Sequence, residues 1–350
     1  MTRVLILLLL PLLALAAMDG WELTVQNPAA GRDCAGDLLA ADAMLRRNAA
    51  ALASTGAGSE IAGVNRLAGD RSGRLSRANY ELILRCLAWK DQTKGAVDLL
   101  AGPLNRLWGL SEVGEALQGQ LAGDSSCQLR SGPAAASPAL PGPWPSPAAL
   151  DSALALARDG GAYFVDLGVL LRSPGMAIDL DPLLDGVLAD RAADSLRALG
   201  QTGLRLRVGK VWRDDGIGKP WELPLVDPLT RGELGRVELA GRSLALADLT
   251  TPALTLEGRP VAELVDPRSG LPAGGADVGV TAAWALADSG EKARAWANTL
   301  ALLGPEEGLP LLATAPGVEG AVLFSREGRP AWRASAGFPL QSPRGIPAAR

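Results

Sequence analysis

The stretch AIDLDPLLDGVLADRAADSLRAL, residues 177–199, decides the fold prediction. Its first four residues predict a short buried strand, and the remainder predicts an amphipathic helix, because apolar residues recur three or four positions apart. The apolar stripe of this helix consists of Leu184, Leu188, Ala192, Leu196 and Leu199. The charged residues Asp190, Arg191, Asp194 and Arg197 lie largely off the stripe.

The junction between this strand and this helix is a place where anions often bind. Free N–H groups and the helix dipole point outward at a helix N-terminus and attract phosphate. Here the junction carries Asp181-Pro182. Aspartate is a preferred N-cap, and proline suits the first helical position. We therefore predict that the carboxylate of Asp181 caps its own helix and occupies this position.

Composition excludes several classes of function. The chain has 350 residues, a net charge of −4 and no histidine. The charge gives no reason to expect nucleic acid or an anionic membrane surface as a partner. The lack of histidine excludes histidine-based catalytic triads and histidine metal sites.

The first 16 residues resemble a secretory signal peptide. Arg3 precedes an apolar run over residues 4–13, and Ala14-Leu15-Ala16 fits a cleavage site. The run is short for a membrane span, so an uncleaved anchor is the less favoured alternative. We expect an exported, periplasmic protein.

Export to an oxidising compartment allows the cysteines to form a disulfide. Cys86 and Cys127 can pair and leave Cys34 unpaired, but the sequence leaves every pairing open. Three scattered cysteines without a CxxC pattern do not predict a metal site.

The rest of the chain alternates between helical and strand patterns. The periodicity predicts helices at residues 37–53, 77–94, 148–157, 292–303 and 306–313, and strands at residues 21–25, 163–165, 169–171, 204–208, 236–239, 243–246, 262–265 and 318–324. Residues 209–219 are polar, and residues 131–147 are rich in proline and predict an exposed loop. Together these patterns predict an α+β fold of mixed sheets with packed helices. It forms one domain, residues 17–350, with a proline-rich insertion at residues 131–147.

Five stretches in consistent order resemble one family, the FAD:protein FMN transferases. They are SEIAGVN (residues 59–65), TKGAVDLLAGPLNRLWG (93–109), AIDLDPLLDGVLADRAADSL (177–196), ELVDPRSGLP (263–272) and ANTLALLGPEEGLPLL (297–312). The resemblance implies the flavin-transferase, or T-fold-like, architecture. It implies an exported, magnesium-dependent enzyme that cleaves FAD and attaches FMN to a threonine or serine of a target protein.

The same resemblance implies cofactors, a partner and site residues. The cofactors are FAD and magnesium, and the partner is a periplasmic or membrane-bound redox protein that accepts flavin. The positions that match the family's cofactor-binding residues are Met18, Ala96, Val97, Asp98, Asp179 and Asp185.

The chain departs from the family pattern at the start of the central helix. Asp181-Pro182 stands where the family has a Gly-Gly turn, and Asp185 stands where it has a lysine. Two carboxylates near a pyrophosphate repel it: at about 4 Å and an effective dielectric of about 20, one such pair costs about 4 kcal/mol.

The positions that match the metal site depart as well. The magnesium-binding Asp and Thr of the family fall on Arg294 and Asn298, and its histidine falls on Glu263. Its Gly-Gly-Asp motif falls on residues 209–211. Magnesium prefers oxygen ligands, so a guanidinium is a poor neighbour for it. We therefore assign no catalytic or metal-binding residue.

These departures predict a divergent member with weak or lost catalysis. The alternatives are an active transferase with a rearranged metal site, for which Asp288 is a candidate ligand, and a non-enzymatic periplasmic binding or assembly module. An unrelated secreted binding protein is the remaining alternative. We also hypothesise that Arg294 forms an ion pair with Asp179, Asp181 or Asp185 in place of the metal.

Overall fold

The computed structural model describes residues 20–110, 121–123, 127–131, 143–159, 161–274, 279–326 and 329–341. The predicted signal peptide, Met18 and residues 132–142 of the proline-rich insertion lie outside the described residues. The α+β prediction is confirmed by the helices and sheets of these ranges.

One large sheet of nine strands forms the centre of the molecule. Its strands, in spatial order, are β16 (Arg329–Ala334), β15 (Glu319–Arg326), β14 (Val280–Ala287), β11 (Ser243–Asp248), β8 (Val211–Asp214), β7 (Thr202–Val208), β1 (Trp21–Asn27), β4 (Gln128–Ser131) and β3 (Leu121–Gly123). Every neighbouring pair is antiparallel.

The helices of the described ranges are α1 (Cys34–Leu52), α2 (Glu60–Arg66), α3 (Arg77–Leu87), α4 (Trp89–Gln92), α5 (Gly102–Leu107), α6 (Pro147–Asp159), α7 (Asp181–Ala198) and α8 (Gly290–Leu312). Of these, α1, α7 and α8 make the main contacts with the large sheet. The large core between α1, α7, α8 and the sheet is apolar. Within the described ranges, no helix has both the length and the apolar character that a bilayer span needs.

Smaller sheets complete the fold. One contains β17 (Leu340–Gln341), β10 (Glu233–Leu239) and β9 (Trp221–Val226), another pairs β12 (Pro252–Leu256) with β13 (Arg259–Ala262), and a third contains β2 (Gly73–Arg74), β6 (Gly168–Leu171) and β5 (Ala162–Val165). The sheet with β9 and β10 shares an apolar core with residues of β11, β14 and β15. The large sheet therefore lies between helices and a second sheet over part of its area.

The central helix is confirmed as α7, but the strand predicted at residues 177–180 is wrong. This segment is buried yet joins no sheet. The side-chain amide of Asn65 accepts from Ile178 N at 2.8 Å and donates to Ile178 O at 2.9 Å. Asp179 N donates to Leu99 O at 2.9 Å. The segment reads as a strand because it is apolar, while its backbone is bonded by a side chain and a loop instead.

The predicted cap of α7 is also wrong. Leu180 is the N-cap residue, and Asp181 is the first residue of the helix, followed by Pro182. The carboxylate of Asp179 accepts from Asp181 N at 2.9 Å. The capping acid therefore lies two residues earlier than predicted.

Other boundaries differ from the sequence pattern. The helix predicted at residues 77–94 is divided into α3 and α4, and the strand predicted at 262–265 lies earlier, as β13. Residues 209–219 contain β8. The predicted break at Gly304 is confirmed: its φ of 68° interrupts α8. Two further strands follow the strand that was expected to close the fold.

The disulfide joins Cys34 to Cys127, whose Cα atoms are 5.8 Å apart. The sequence left every pairing open, and the structure has Cys34–Cys127 rather than Cys86–Cys127. Cys86 is buried on α3 and has a free thiol. The bond ties the start of α1 to the segment before β4, because β1 and β4 are neighbours in the sheet.

Helices α7 and α8 cross where both contain glycine. A Cβ atom at Gly186 would overlap the carbonyl oxygen of Gly290, and one at Gly290 would lie 2.6 Å from Gly186 O. Beside this crossing, the carboxylate of Asp190 accepts from the N–H groups of Gly290 at 2.7 Å and Glu291 at 3.0 Å. The position of α8 therefore depends on the absence of side chains at the crossing.

Candidate functional site

Four of the predicted cofactor-binding residues line one small cavity. Ala96, Val97 and Asp98 form one wall and Asp179 lies on another, together with Asn105, Pro182, Leu183 and Pro267. These residues meet because the backbone hydrogen bond from Asp179 N to Leu99 O joins residues 96–101 to the segment before α7. The cavity holds only about 10 Å³, which is room for at most about one water molecule.

The two aspartates of the cavity are occupied by neighbouring groups. Asp98 accepts from Leu100 N at 2.9 Å and forms an ion pair with Lys90 at 2.8 Å. Asp179 is buried, accepts from Asn105 Nδ2 at 2.9 Å and caps α7. Both carboxylates therefore have structural partners.

Three charged side chains from distant parts of the chain form a network next to the start of α7. Lys210 Nζ lies 2.6 Å from Glu263 Oε2, and Arg294 Nη2 lies 3.1 Å from Glu263 Oε1. Arg294 also donates to the backbone carbonyl of Leu246. Its side chain is only 7% exposed, whereas that of Glu263 is 34% exposed. We call these three residues the Lys210–Glu263–Arg294 network.

The network changes the titration of its carboxylate. Burial alone would raise the pKa of Glu263, but the charges of Lys210 and Arg294 and their hydrogen bonds hold it at about 2. Glu263 is therefore ionised at neutral pH and balanced by two cations.

Asp185 meets the same network from α7. Its carboxylate accepts from Lys210 N at 3.1 Å and lies so close to Gly209 that a Cβ atom there would overlap it. Gly209 has a φ of 52°, so the turn between β7 and β8 can adopt this conformation because it contains glycine. Burial raises the pKa of Asp185, and the charge of Arg294 and the N–H of Lys210 offset only part of that effect.

Asp181 adds a second acid at the start of α7. Burial and then the charges of Asp179 and Asp185 raise its pKa well above the ordinary value. Acidic side chains therefore crowd the entrance of the helix, where an open N-terminus would bind an anion.

The hypothesis that Arg294 pairs with an aspartate of this region is wrong. Among the described residues, its carboxylate partner is Glu263, and it forms no ion pair with Asp179, Asp181 or Asp185. Glu263 directly follows the last residue of β13. Asp288 does not enter the site either: its side chain is 74% exposed and lies 3.6 Å from Lys292.

The residues present do not fit magnesium. Magnesium is bound by oxygen atoms in a near-octahedral arrangement, whereas Arg294 and Lys210 place a guanidinium and an ammonium here. Asn298 turns its Nδ2 to Pro182 O at 2.7 Å. In the part of the chain that the structure describes, no group of three or more cysteine or acidic side chains is arranged to hold a metal ion.

The cavity does not fit FAD in this conformation. Sites for small molecules and cofactors measure about 300–1,000 Å³, and the cavity at Asp98 and Asp179 is far smaller. The polar groups around the cavity are hydrogen-bonded or ion-paired with other groups of the protein. The site is therefore closed.

The fold and these motifs have counterparts in known proteins. The sequence model of the ApbE family matches residues 20–322. This chain belongs to the ApbE family. The predicted resemblance to flavin transferases is thereby confirmed at the level of the family.

Relatives of this ApbE-family chain include FAD:protein FMN transferases. One from Klebsiella pneumoniae (strain 342) is 24% identical over 258 residues, covering 69% of this chain and 64% of the relative. One from Salmonella typhimurium is 23% identical over 246 residues, covering 67% of this chain and 61% of the relative. The chain thus spans less than two thirds of the length of these curated relatives.

Solved ApbE structures share the fold. The flavin transferase ApbE from Vibrio cholerae superposes with a TM-score of 0.71 at 18% identity, over 91% of this chain and 94% of that one. The apo form of the flavinyl transferase ApbE from Pseudomonas stutzeri gives a TM-score of 0.70 at 18% identity, over 90% of this chain and 91% of that one. The flavin-transferase architecture predicted from the sequence is confirmed.

Sequence reasoning missed the polar side chains that support the site of this ApbE-family chain. Asn65 holds the backbone of Ile178, and Asn105 holds Asp179. The only signal was an asparagine within an otherwise apolar pattern. Met18, the remaining predicted cofactor residue, lies outside the described residues, and its role stays a prediction.

The pKa of Glu263 predicts how replacing it with glutamine changes with pH. Because the folded pKa lies at about 2 and the ordinary value is 4.5, the folded state binds fewer protons between these values. The stabilisation by the carboxylate is therefore present above pH 4.5 and is lost as the pH falls towards 2. We expect Glu263→Gln to destabilise the protein at pH 7 and to differ less from the wild type at pH 3, as measured by urea unfolding. A difference that is equal at both pH values would contradict the ion pairing.

Proposed function

We propose that this protein is an exported, periplasmic member of the ApbE family in which transfer of FMN from FAD is weak or lost, and which acts as a non-enzymatic binding or assembly module. The observation that carries the proposal is the Lys210–Glu263–Arg294 network. Its three members come from separate motifs, each departs from the family pattern, and Glu263 contacts both of the others.

Mutual contact distinguishes this arrangement from scattered loss. A site that had only decayed would leave charges without partners, and unpaired buried charges are costly. Here Glu263 lies between two cations, and Asp185 accepts from the backbone of Lys210. The departures therefore compensate one another, as expected for a fold retained without its metal.

Export is supported by two separate features. The first residues resemble a signal peptide, and Cys34 is bonded to Cys127. Structural disulfides are typical of oxidising compartments such as the periplasm. The partner we propose is a periplasmic or membrane-bound redox protein of the flavin-accepting type, since that is the kind of target on which the family acts.

The proposal is tested by a labelling reaction. The purified protein is incubated with FAD, magnesium and a flavin-accepting target domain, and the target is inspected for covalent fluorescence on a denaturing gel. We expect no labelled band, while the Vibrio cholerae flavin transferase labels the same target in parallel. Clear labelling by this protein would favour the alternative, an active transferase with a rearranged metal site.

A further inference from the structure

A groove lined by residues of α2 and β2 carries two arginines that form no ion pair with a described residue. It measures about 390 Å³, within the range of about 300–1,000 Å³ that is usual for small-molecule sites. It shares no lining residue with the closed cavity at Asp98 and Asp179. The two cavities are therefore separate.

Two arginines line this groove without a carboxylate partner. Arg66 donates from Nη1 to the carbonyl oxygen of Gly56 at 3.1 Å. Its side chain forms no other hydrogen bond with a described residue. The guanidinium of Arg74 is exposed and forms neither an ion pair nor a hydrogen bond with any described residue. Many arginines elsewhere in this acidic chain are paired with Asp or Glu, so two unpaired ones in one groove are a local excess of positive charge.

The acid that also lines the groove is already engaged. Glu60 Oε2 accepts from Ser76 N at 2.7 Å. Burial opposes ionisation of Glu60, but the bonds from Ser76 and Asn79 and the charge of Arg191 outweigh it and lower its pKa. One carboxylate therefore faces two guanidinium groups, and a net positive charge remains.

Three glycines, Gly58, Gly63 and Gly73, line the groove, and two of them are not required by packing. A Cβ atom at Gly58 would meet nothing within 4 Å, and one at Gly63 would meet only Arg66 Nη2, at 3.8 Å. Neither residue has a positive φ. Glycine inside a helix costs about 1 kcal/mol relative to alanine, so Gly63 destabilises α2. The lack of a side chain at Gly63 keeps the groove open. Gly73 differs, because a Cβ atom there would lie 2.8 Å from Val64 Cα.

We propose that this groove binds a compact dianion, such as a small phosphate monoester or a dicarboxylate, between Arg66 and Arg74. Guanidinium groups bind phosphate and carboxylate through paired, charge-assisted hydrogen bonds. The lining contains no aromatic side chain and has Leu67 as its apolar residue, so it offers no surface on which a flat heterocycle would stack. The ligand is accordingly small and polar.

The test titrates the full-length protein with inorganic phosphate and, separately, with succinate, while NMR records the backbone amide shifts of Gly58, Gly63 and Gly73. We expect saturable shifts at these glycines, with a dissociation constant on the order of 1 mM or tighter. The anion that binds more tightly identifies the ligand class. Shifts that do not saturate, or that appear equally over the whole surface, would overturn the proposal.

Variants separate binding from folding. Arg66→Gln and Arg74→Gln should each weaken binding about tenfold, since each removes a charge-assisted contact, and Arg47→Gln, which replaces another exposed arginine on α1, should leave it unchanged. Gly63→Leu should abolish binding by filling the groove. The protein should stay folded, because leucine favours a helix and its Cβ atom meets only Arg66 Nη2, at 3.8 Å. Unchanged binding by folded Gly63→Leu or by the double arginine variant would contradict the site.

Discussion

Replacing Arg294 with alanine is expected to lower the free energy of unfolding by about 3 kcal/mol. The side chain is almost fully buried on α8 and bonds both Glu263 and the carbonyl oxygen of Leu246. Its removal leaves that carbonyl without its donor and leaves space where the side chain packed. Glu263 keeps Lys210, so the loss is smaller than for an isolated buried charge.

A matched control is available on the surface. Arg333 forms an ion pair with Glu306 at 2.7 Å, but the side chain of Glu306 is 77% exposed. Exposed pairs contribute about 0–1 kcal/mol, so Arg333→Ala should have little effect. Denaturant unfolding of both variants provides the comparison. An equal, small loss for the two variants would show that the Lys210–Glu263–Arg294 network does not stabilise the fold.

Replacing Gly186 with alanine is expected to cost about 2–3 kcal/mol. The new methyl group would overlap the carbonyl oxygen of Gly290, which is backbone and cannot rotate away. Helices α7 and α8 must then separate, and the hydrogen bonds from Gly290 and Glu291 to Asp190 lengthen. Because α8 carries Arg294 and Asn298, the network should loosen as well.

The control for this substitution is the same change at another helical glycine. Gly63→Ala places its methyl group at an ordinary contact distance of 3.8 Å from Arg66 Nη2, so it should be neutral or stabilise the protein by up to about 1 kcal/mol. Thermal or urea unfolding measures the stability of both variants. The comparison shows whether a loss of stability comes from the close helix crossing or from alanine in a helix in general. Equal stability of Gly186→Ala and the wild type would disprove the close crossing.

Local patterns predicted the elements better than the contacts. Helix α7 follows from its regular spacing of leucine and alanine, and Gly304 ended a helix as glycine and proline commonly do. The segment before α7 was predicted as a strand because periodicity cannot distinguish an apolar strand from an apolar segment bonded by Asn65. Burial was predicted correctly there, and the bonding partner was not.

In the candidate site, too, the sequence identified the unusual charged residues but not the partners that they contact. The sequence identified Glu263 and Arg294 as departures from the family pattern, yet it paired Arg294 with the wrong acid. Glu263 lies 31 residues before Arg294 and 53 after Lys210, and no periodicity relates such positions. Leu246 of β11 donates its N–H to Lys210 O and accepts from Arg294, so the pairing of β8 with β11 places Lys210 near Arg294. Glu263 joins them from the segment after β13.

We propose that bonds among the side chains of this chain stand where its family has a nucleotide and metal site. A crystal of the protein soaked with FAD and magnesium tests it most directly. We expect no nucleotide at Asp98 and Asp179, with Glu263 still bonded to Lys210 and Arg294. Density for FAD in that cavity, with a metal ion beside its phosphates and the network broken, would disprove this proposal.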